Sequence, residues 1–395
     1  MTLEAMCNEL GISKKPESFG TIYEKIKDTY EPYAALILSD EYITKTLSDC
    51  FALSSFTQEI LASAAEVRKN PALRLLVCIM AEWIRHGAED IADYEAPHGK
   101  GTAFDFLHLF PMIPTMPDTV AHLRERNIPE DIIIATMQEY DFCVDMLLRN
   151  TGRPAFDRGR LNWMRRVAKN EMIRIGRFKY DLPAKRVSGI KAYKNVNGEI
   201  CVLADGVDVH RSGKVLGSAG CGDKTGSFRA EIEETQDKVI GYPIVDGLIT
   251  DKKCELDKAQ WSLCLSEDDN VVFVHIPPRE SFDVAAMEAS YARAREILAK
   301  HYPDRPYSAF FCRSWLMSRD LRKVLKPTSN ILAFQDKYIH YPCLCNGTQV
   351  FNNVFPGIAV SEDYTALPEE TSLQRNVKNL YINGGHILND CGFFF

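Results

Sequence analysis

The chain has 395 residues, a formal net charge of −7 and an apolar fraction of 46%. These values are ordinary for a soluble globular protein with two or three domains. The acidic balance, without a block of Lys or Arg, argues against a nucleic-acid partner. The longest apolar runs fall far short of the ~20 residues that span a bilayer, and the first residues carry no signal-peptide core. We therefore expect a cytoplasmic protein without a membrane partner.

Residues 1–168 are predicted to form an all-helical N-terminal domain, because apolar residues recur there at helical spacing. The clearest helix covers 71–86, with the sequence PALRLLVCIMAEWIRH. Further helices are predicted over 23–30, 41–51, 57–67, 117–126, 129–150 and 159–169.

The pattern changes near residue 170. Residues 172–180 alternate apolar and polar side chains, which predicts one strand. Asn197-Gly198, between two short apolar runs, predicts a hairpin. The Gly-rich stretch 212–227 has the glycine spacing of a phosphate loop, but Asp223 stands where that loop requires Lys. We predict a flexible loop there.

A strand–helix–strand unit over 270–325 is the central feature of the second half. Residues 271–276 and 307–312 are apolar runs typical of buried strands, and Asp283 is a candidate N-cap for the helix between them. Strands connected in this way lie parallel. Their carboxyl ends, where such units place functional groups, carry His275, and Cys312 followed by Arg313, Ser314 and Trp315.

In the last part of the chain, the residue pattern predicts strands over 330–341, 349–355 and 393–395. It also predicts a helix over 372–383 that stops at Gly384-Gly385. The fold class is therefore α+β: an all-helical domain over 1–168, followed by a mixed β-sheet domain over 169–395 flanked by helices. Twelve scattered cysteines without a CxxC pair predict buried thiols in a reducing compartment and no metal site.

Several segments of the chain are similar to one protein family: Trp163 with IRIGRFKY (173–180), Trp261 with VVFVHIP (271–277), FCRSWLMS (311–318), SNILAFQ (329–335) and LPEETSLQRNVKNLYINGG (367–385). Over roughly 160–395 the chain resembles bacterial N-acyltransferases that have a helical N-terminal domain and a GNAT-like C-terminal domain. The resemblance implies a GNAT-like sheet and an acyl-CoA donor. Its pantetheine arm would enter between the two parallel strands, and its pyrophosphate would meet the following helix. The Gly-rich pyrophosphate signature of GNAT enzymes is absent, and PPRESFDVAAM (277–287) stands in its place.

The candidate catalytic residues follow from the chemistry of acyl transfer. His275 suits a general base, since a histidine has a reference pKa of ~6.5. Cys312 is a candidate nucleophile that would relay the acyl group with help from His275, and His386 is a second candidate base. The candidate CoA-binding residues are Arg279, Ser281, Phe282, Asp283 and Ser314. The candidate substrate-binding residues are Trp315, Gln335 and Arg375.

Structural roles stay open for many of these residues. Cys312 and Trp315 also suit core positions, Ser314 suits a helix cap, and Arg375 suits pairing with Glu369 or Glu370. Three functions stay open as well. They are an acyl-CoA-dependent N-acyltransferase acting on a small-molecule or peptide amine, a noncatalytic binding protein on a degenerate GNAT scaffold, and a Cys–His acyltransferase or hydrolase that does not use CoA. The role of the helical half and the formation of a homodimer are also left open.

Overall fold

The computed structural model describes residues 1–278, 280, 282–358 and 363–395. The chain divides into two compact units, Met1–Ile175 and Gly176–Phe395.

The first unit is built from helices, as its apolar spacing predicts, and closes with one strand. Its elements are α1 (Leu3–Leu10), α2 (Ser18–Ile26), α3 (Tyr30–Ile37), α4 (Asp40–Asp49), α5 (Thr57–Lys69), α6 (Pro71–Arg85), α7 (Thr102–Asp105), α8 (Met116–Glu125), α9 (Glu130–Met137), α10 (Glu139–Thr151), α11 (Arg158–Ala168) and β1 (Met172–Ile175).

Local signals set the bounds of α6, the most buried helix of this unit. The Asn70 side chain accepts the N–H of Leu73 at 3.0 Å, and Pro71 occupies the first turn, where its missing N–H costs nothing. The single helix predicted over 129–150 is in fact two helices, α9 and α10, which meet at Gln138.

The second unit contains most of the strands. Its elements are β2 (Phe178–Lys185), β3 (Ile190–Asn195), β4 (Ile200–Ala204), β5 (Val207–Val209), β6 (Phe228–Ala230), β7 (Glu233–Glu234), β8 (Lys238–Val245), β9 (Leu248–Ile249), β10 (Cys254–Asp257), β11 (Trp261–Leu265), β12 (Asn270–His275), α12 (Val284–His301), β13 (Ala309–Ser314), α13 (Asn330–Asp336), β14 (Ile339–Pro342), α14 (Thr348–Val354), α15 (Ser372–Ile382) and β15 (Asp390–Phe394).

The main sheet of this unit carries the strands β2, β12, β13, β15 and β14 in that order. β12 and β13 are parallel, while the other neighbouring pairs are antiparallel. A second sheet has the order β10-β8-β4-β3-β11. One face of the main sheet packs against the second sheet in a core that includes Val202, Leu265, Val271, Phe311 and Phe393.

The opposite face of the main sheet is covered by α12 through an aromatic cluster. The Tyr291 ring of α12 lies 5.0 Å from the ring of Phe178 and 5.0 Å from that of Phe394. Phe310 stacks on Phe394 with ring centroids 5.1 Å apart. Burial of several aromatic rings fixes the strand–helix–strand unit, since each large side chain removes much apolar surface from water.

Three predicted strands differ from the observed elements. Residues 172–180 form parts of two strands, because the chain turns at Gly176, whose φ of 55° suits glycine. Residues 330–336 form α13, begun by the Ser329 side chain, which accepts the N–H of Ile331 at 3.3 Å. Residues 348–354 form α14. A short apolar run does not distinguish a strand from a buried helix. In residues 330–336 and 348–354 the buried side chains are spaced as in a helix.

Candidate active site

The two parallel strands diverge towards their carboxyl ends. The pairs between β12 and β13 are Val271–Ala309, Val272–Phe310 and Phe273–Phe311, and no later pair joins them among the described residues. Beyond these pairs, the last residues of β12 continue against β2 and those of β13 against β15. A gap between the parallel strands therefore begins after Phe273 and Phe311.

His275 lies at the end of β12 and contacts a carboxylate from the neighbouring strand. Its Nε2 is 3.0 Å from Oδ2 of Asp181 on β2, and the two side chains are 15% and 5% exposed. The His275 ring also stacks on Phe273 with centroids 4.4 Å apart. Asp181 thus orients the imidazole and can stabilise the charge that the ring acquires when it takes a proton.

Two buried cations, Lys179 in β2 and Arg177 immediately before it, lie in the same stretch of chain as Asp181. Lys179 lies directly opposite His275 in the strand register and is 3% exposed. The Arg177 guanidinium donates to the carbonyls of Pro277 at 3.3 Å and Glu280 at 3.2 Å. Arg177 therefore ties β2 to the segment that links β12 to α12.

Arg313 faces the same side of the sheet as His275, across the gap. Phe273 and Phe311 are paired and their rings lie 5.2 Å apart, so the residues two positions further along share that face. Arg313 is exposed, and its Nη2 donates to the carbonyl of Leu344 at 3.0 Å. An imidazole and a guanidinium therefore stand on one face, on the two sides of the opening.

The structure does not bring Cys312 to His275. Side chains alternate along a strand, so Cys312 points to the face opposite Arg313 and His275. It is 1% exposed, and burial raises the pKa of its thiol far above the usual value. A neutral thiol on the wrong face cannot act as the relay nucleophile, because the thiolate is the reactive species. The Cys–His mechanism therefore has no geometric support.

Ser314 at the end of β13, and the residues beyond this strand, serve the local fold. The Ser314 hydroxyl accepts the N–H of Leu316 at 3.2 Å and begins a short 3₁₀ helix, as its capping role predicts. Trp315 is 9% exposed and belongs to a core cluster. Gln335 is fully buried, and its amide donates to the carbonyls of Leu316 at 2.8 Å and Ser318 at 2.9 Å. The hydrogen bonds of Gln335 hold the backbone in place at Leu316 and Ser318, just beyond β13.

The start of α12 holds part of the predicted CoA site. The Phe282 ring lies 4.9 Å from the guanidinium carbon of Arg177 and 5.6 Å from the ring of Phe334. The carboxylate of Asp283 accepts the N–H of Ala286 at 2.7 Å and caps the helix. Arg279 and Ser281, the other two residues predicted there, lie outside the described residues.

His386 lies in a separate cavity of about 390 Å³, which is also lined by Lys214, Asp320 and Asp390. Its Nε2 is 3.3 Å from the hydroxyl of Tyr364, and burial lowers its pKa. Burial raises the pKa of Asp390 to about 8. His275 does not line this cavity, so the structure does not place the two predicted bases at one site.

Arg375 is engaged with its own chain. Its Nη1 donates to the backbone carbonyls of Glu369 at 2.7 Å and Glu370 at 3.5 Å. The predicted pairing with these residues is thus made through their carbonyls and not their carboxylates. The guanidinium stabilises the turn before α15.

Sequence reasoning missed Asp181, Lys179 and Arg177. The spacing of Lys179 and Asp181 by two residues is the signal of one face of a strand, whereas Arg177 lies in the turn before β2. No local feature, however, tells which strand lies beside β2, and the contact with His275 depends on that pairing.

Among residues 1–278, 280, 282–358 and 363–395, no group of three or more His, Cys, Asp or Glu is arranged to hold a metal ion. In the same part of the chain, no helix combines the length and the apolar character needed to cross a membrane. All twelve cysteines are free thiols.

The fold and the divergent parallel strands are those of a GNAT-like acyltransferase. A family model described as "GNAT-like C-terminal domain" matches residues 172–394, and one described as "N-acyltransferase N-terminal domain" matches residues 51–169. The chain belongs to the family with the GNAT-like C-terminal domain, since this match covers more than half of its length. The predicted α+β fold class and N-acyltransferase resemblance are confirmed.

Solved structures of acyltransferases are similar to the whole chain. One is in complex with decanoyl-CoA and teicoplanin (17% identity, TM-score 0.63), one with CoA and 10C-Teicoplanin (18%, 0.64) and one with decanoyl-CoA (16%, 0.62). Each alignment covers 100% of this chain and 99% of the other. At this identity the likeness shows a shared fold. No curated protein matches the chain.

Proposed function

We propose that this protein transfers an acyl group from acyl-CoA to an amine, with the thioester arm lying in the gap between β12 and β13. The divergence of these strands after Phe273 and Phe311 is the observation that carries the proposal. Strands that separate leave backbone N–H and C=O groups available to an extended ligand, as in other cases where a peptide-like chain joins a sheet edge.

His275 is the proposed general base, positioned by Asp181. The acceptor nitrogen attacks the thioester carbonyl, a C–N bond forms and the C–S bond breaks. His275 takes the proton of the attacking nitrogen, and the CoA thiolate leaves and receives that proton from the His275 imidazolium. The contact of 3.0 Å between the side chains of His275 and Asp181 supports this role. A base that a carboxylate holds in orientation needs little rearrangement during the reaction.

The CoA pyrophosphate is proposed to lie at the start of α12, near Phe282. The contacts of Arg177 with the carbonyls of Pro277 and Glu280 hold this segment against β2, and the helix amino end favours anions. Arg279 and Ser281 stay predicted ligands, while the carboxylate of Asp283 is occupied as the cap.

Decanoyl-CoA and a peptide-like amine are the proposed substrate classes. Support comes from the similar acyltransferases, whose complexes contain decanoyl-CoA and teicoplanin. The cytoplasm stays the proposed location, since free thiols are typical of reducing compartments.

The test is CoA release and N-acyl product formation, followed by mass spectrometry with decanoyl-CoA and acetyl-CoA, and with teicoplanin and a simple peptide amine as acceptors. We expect amide product that depends on His275, and a rise in melting temperature with acyl-CoA alone. Binding of acyl-CoA without product from any acceptor would favour the noncatalytic alternative. Absence of both binding and product would refute the proposal.

A further inference from the structure

The cavity beside His386 is lined by charged and polar groups that the proposed acyl transfer does not use. It measures about 390 Å³, which is within the range of small-molecule sites. Its walls come from the loop over 210–221, the turn between β8 and β9, the short 3₁₀ helix over 319–323, and the segment over 384–390. All of these segments belong to the second unit.

The guanidinium of Arg319 lies at the wall of this cavity and is weakly paired. The side chain is 29% exposed, and its nitrogens form no hydrogen bond within the described part of the chain. None of these nitrogens is closed to solvent, in contrast to Nε of the neighbouring Arg322. Arg319 pairs at 3.6 Å with Asp246, whose side chain is 85% exposed. An ion pair this exposed contributes little stability, so the N–H donors of Arg319 stay available to a ligand.

The carboxyl of Asp390 presents a second group to the cavity. Asp390 is 8% exposed, and its Oδ2 accepts the backbone N–H of Arg319 at 3.2 Å. Its Oδ1 has no hydrogen-bond partner within the described ranges and is not closed to solvent. Burial raises the pKa of this carboxyl to about 8, so the group is neutral at pH 6.5. With Oδ2 as the acceptor, the proton resides on Oδ1, which is then a hydrogen-bond donor.

The carboxylates at the wall do not cancel its positive charge. Asp320 contacts two lysines, Lys214 and, at 2.6 Å, Lys323. Among the lining Lys, Arg and Asp side chains, three cations therefore face two ionised carboxylates, because Asp390 is neutral. A positive charge remains in the cavity.

The pKa shifts of the wall residues agree with this sign of charge. Burial lowers the pKa of Arg319, and Arg322 lowers it further, with a stronger effect than any single carboxylate nearby. Burial also lowers the pKa of His386, and Lys214 is the neighbouring charge that acts on it most strongly. Lys214 is likewise the strongest charged influence on the pKa of Asp390. At three points of the wall the dominant neighbouring charge is thus a cation.

The remaining wall is mostly polar. Apart from Ala219, Cys221 and Leu248, the lining residues are polar, charged or glycine. A wall of this kind offers hydrogen-bonding groups to the body of a ligand and little apolar surface to an alkyl chain. The body of a fitting ligand therefore carries hydroxyl groups.

We propose that this cavity binds the phosphate or carboxylate group of a small hydroxylated ligand, with the Arg319 guanidinium as its main partner and the Asp390 carboxyl as a second donor. A guanidinium matches both groups, because its planar N–H pairs bind two oxygens at once. The proposal does not rest on acyl transfer, since His275 does not line this cavity.

Glucose 6-phosphate and gluconate are the probes, and glucose is their uncharged counterpart. Calorimetry with the full chain at pH 6.5 measures binding, and backbone hydrogen exchange over 319–323 and 384–390 locates it. We expect saturable binding of at least one anion, protection of these two segments, and at least tenfold weaker binding of glucose. Tighter binding of glucose 6-phosphate would assign a phosphate ligand, and tighter binding of gluconate a carboxylate ligand.

Three results would overturn the proposal. They are the absence of binding of both anions, binding of glucose as tight as that of the anions, and binding of an anion without protection of the two segments.

Matched arginine variants assign the main partner. Arg319→Gln should weaken binding of the preferred anion at least tenfold, and Arg319→Lys, which keeps the charge without the planar fork, should weaken it several-fold. Arg229→Gln is the control and should bind as the wild type, because Arg229 pairs with Asp208 and Glu231 and does not line the cavity. Melting temperatures verify the fold, and Arg319→Lys decides alone if Arg319→Gln does not fold. Unchanged affinity in a folded Arg319 variant would exclude Arg319.

Discussion

The contact between His275 and Asp181 joins two residues that lie far apart in the chain. His275 ends β12, and Asp181 lies in β2, with the antiparallel register bringing their side chains to 3.0 Å. Each residue alone is an ordinary strand residue. Their pairing gives the imidazole a fixed orientation and a compensating charge, which is what a general base needs.

Asp181→Asn is expected to lower kcat about 100-fold, within the range attributed to general acid–base catalysis. The amide keeps the shape but not the charge that stabilises the protonated ring. Steady-state kinetics with decanoyl-CoA measures the effect. Asp268→Asn is the matched control, since Asp268 is 85% exposed and pairs only on the surface with Lys185. A variant Asp181→Asn with wild-type kcat would remove Asp181 from the mechanism.

Cys312→Ala is expected to leave kcat unchanged and to lower the stability by about 1 kcal/mol, the scale of a small core deletion. The thiol is buried on the face away from His275 and its pKa is raised. Activity assays and chemical denaturation measure the two effects. Iodoacetamide should also fail to label Cys312 in the native protein. Loss of activity comparable to that of His275→Ala would restore the relay mechanism.

The sequence predicts the role that a residue plays within its own segment, but it does not predict contacts between segments that are far apart in the chain. Ser314 has the position of a cap, and it accepts a backbone N–H two residues on. His275 could be placed at a strand end from its apolar run. The carboxylate beside it could not be named, because strand pairing across about ninety residues of chain leaves no mark in either segment.

Among the elements, the strand–helix–strand unit of β12, α12 and β13 is the part that the sequence predicts best. Its strands are continuous apolar runs and its helix has a repeated apolar face and a side-chain cap. α13 and α14 were predicted as strands, and both are helices of seven residues. Such short runs contain too few turns for periodicity to decide, so packing determines their form.

Asp283→Ala is expected to destabilise the second unit by about 1 kcal/mol, the usual effect of removing an N-cap. The carboxylate accepts the N–H of Ala286 at 2.7 Å. Asp283→Ser should retain most of the stability, because Ser also caps helices. Thermal unfolding monitors the change.

The same variants decide between capping and CoA binding by Asp283. Because the carboxylate is occupied and negatively charged, KM for decanoyl-CoA should not rise in either variant. A several-fold rise in KM with an unchanged melting temperature would instead assign Asp283 to the CoA site.

For the molecule as a whole, the buried carboxyl of Asp390 predicts a dependence of stability on pH. Its pKa is raised to about 8 from the usual 3.8, so between these values the folded state holds a proton that the unfolded state has lost. Stability contributed by this group is therefore lost as pH rises through that interval. The side chain of the Asp390→Asn variant cannot ionise, so this variant should not lose stability in this pH interval.

Melting temperatures at pH 4.5, 6.5 and 8.5 test this expectation. Asp390→Asn should gain over the wild type as pH rises, while an Asn oxygen can still accept the N–H of Arg319 that Asp390 accepts at 3.2 Å. A difference between the proteins that stays constant over the range would show that Asp390 is ionised in the folded state.

A crystal structure with decanoyl-CoA tests the proposed donor site most directly. We predict that the pantetheine arm lies between the ends of β12 and β13, hydrogen-bonded to backbone groups near Val274 and Arg313, with the thioester next to His275. Continuous pairing of the two strands up to His275 and Arg313, with the ligand bound elsewhere, would contradict it.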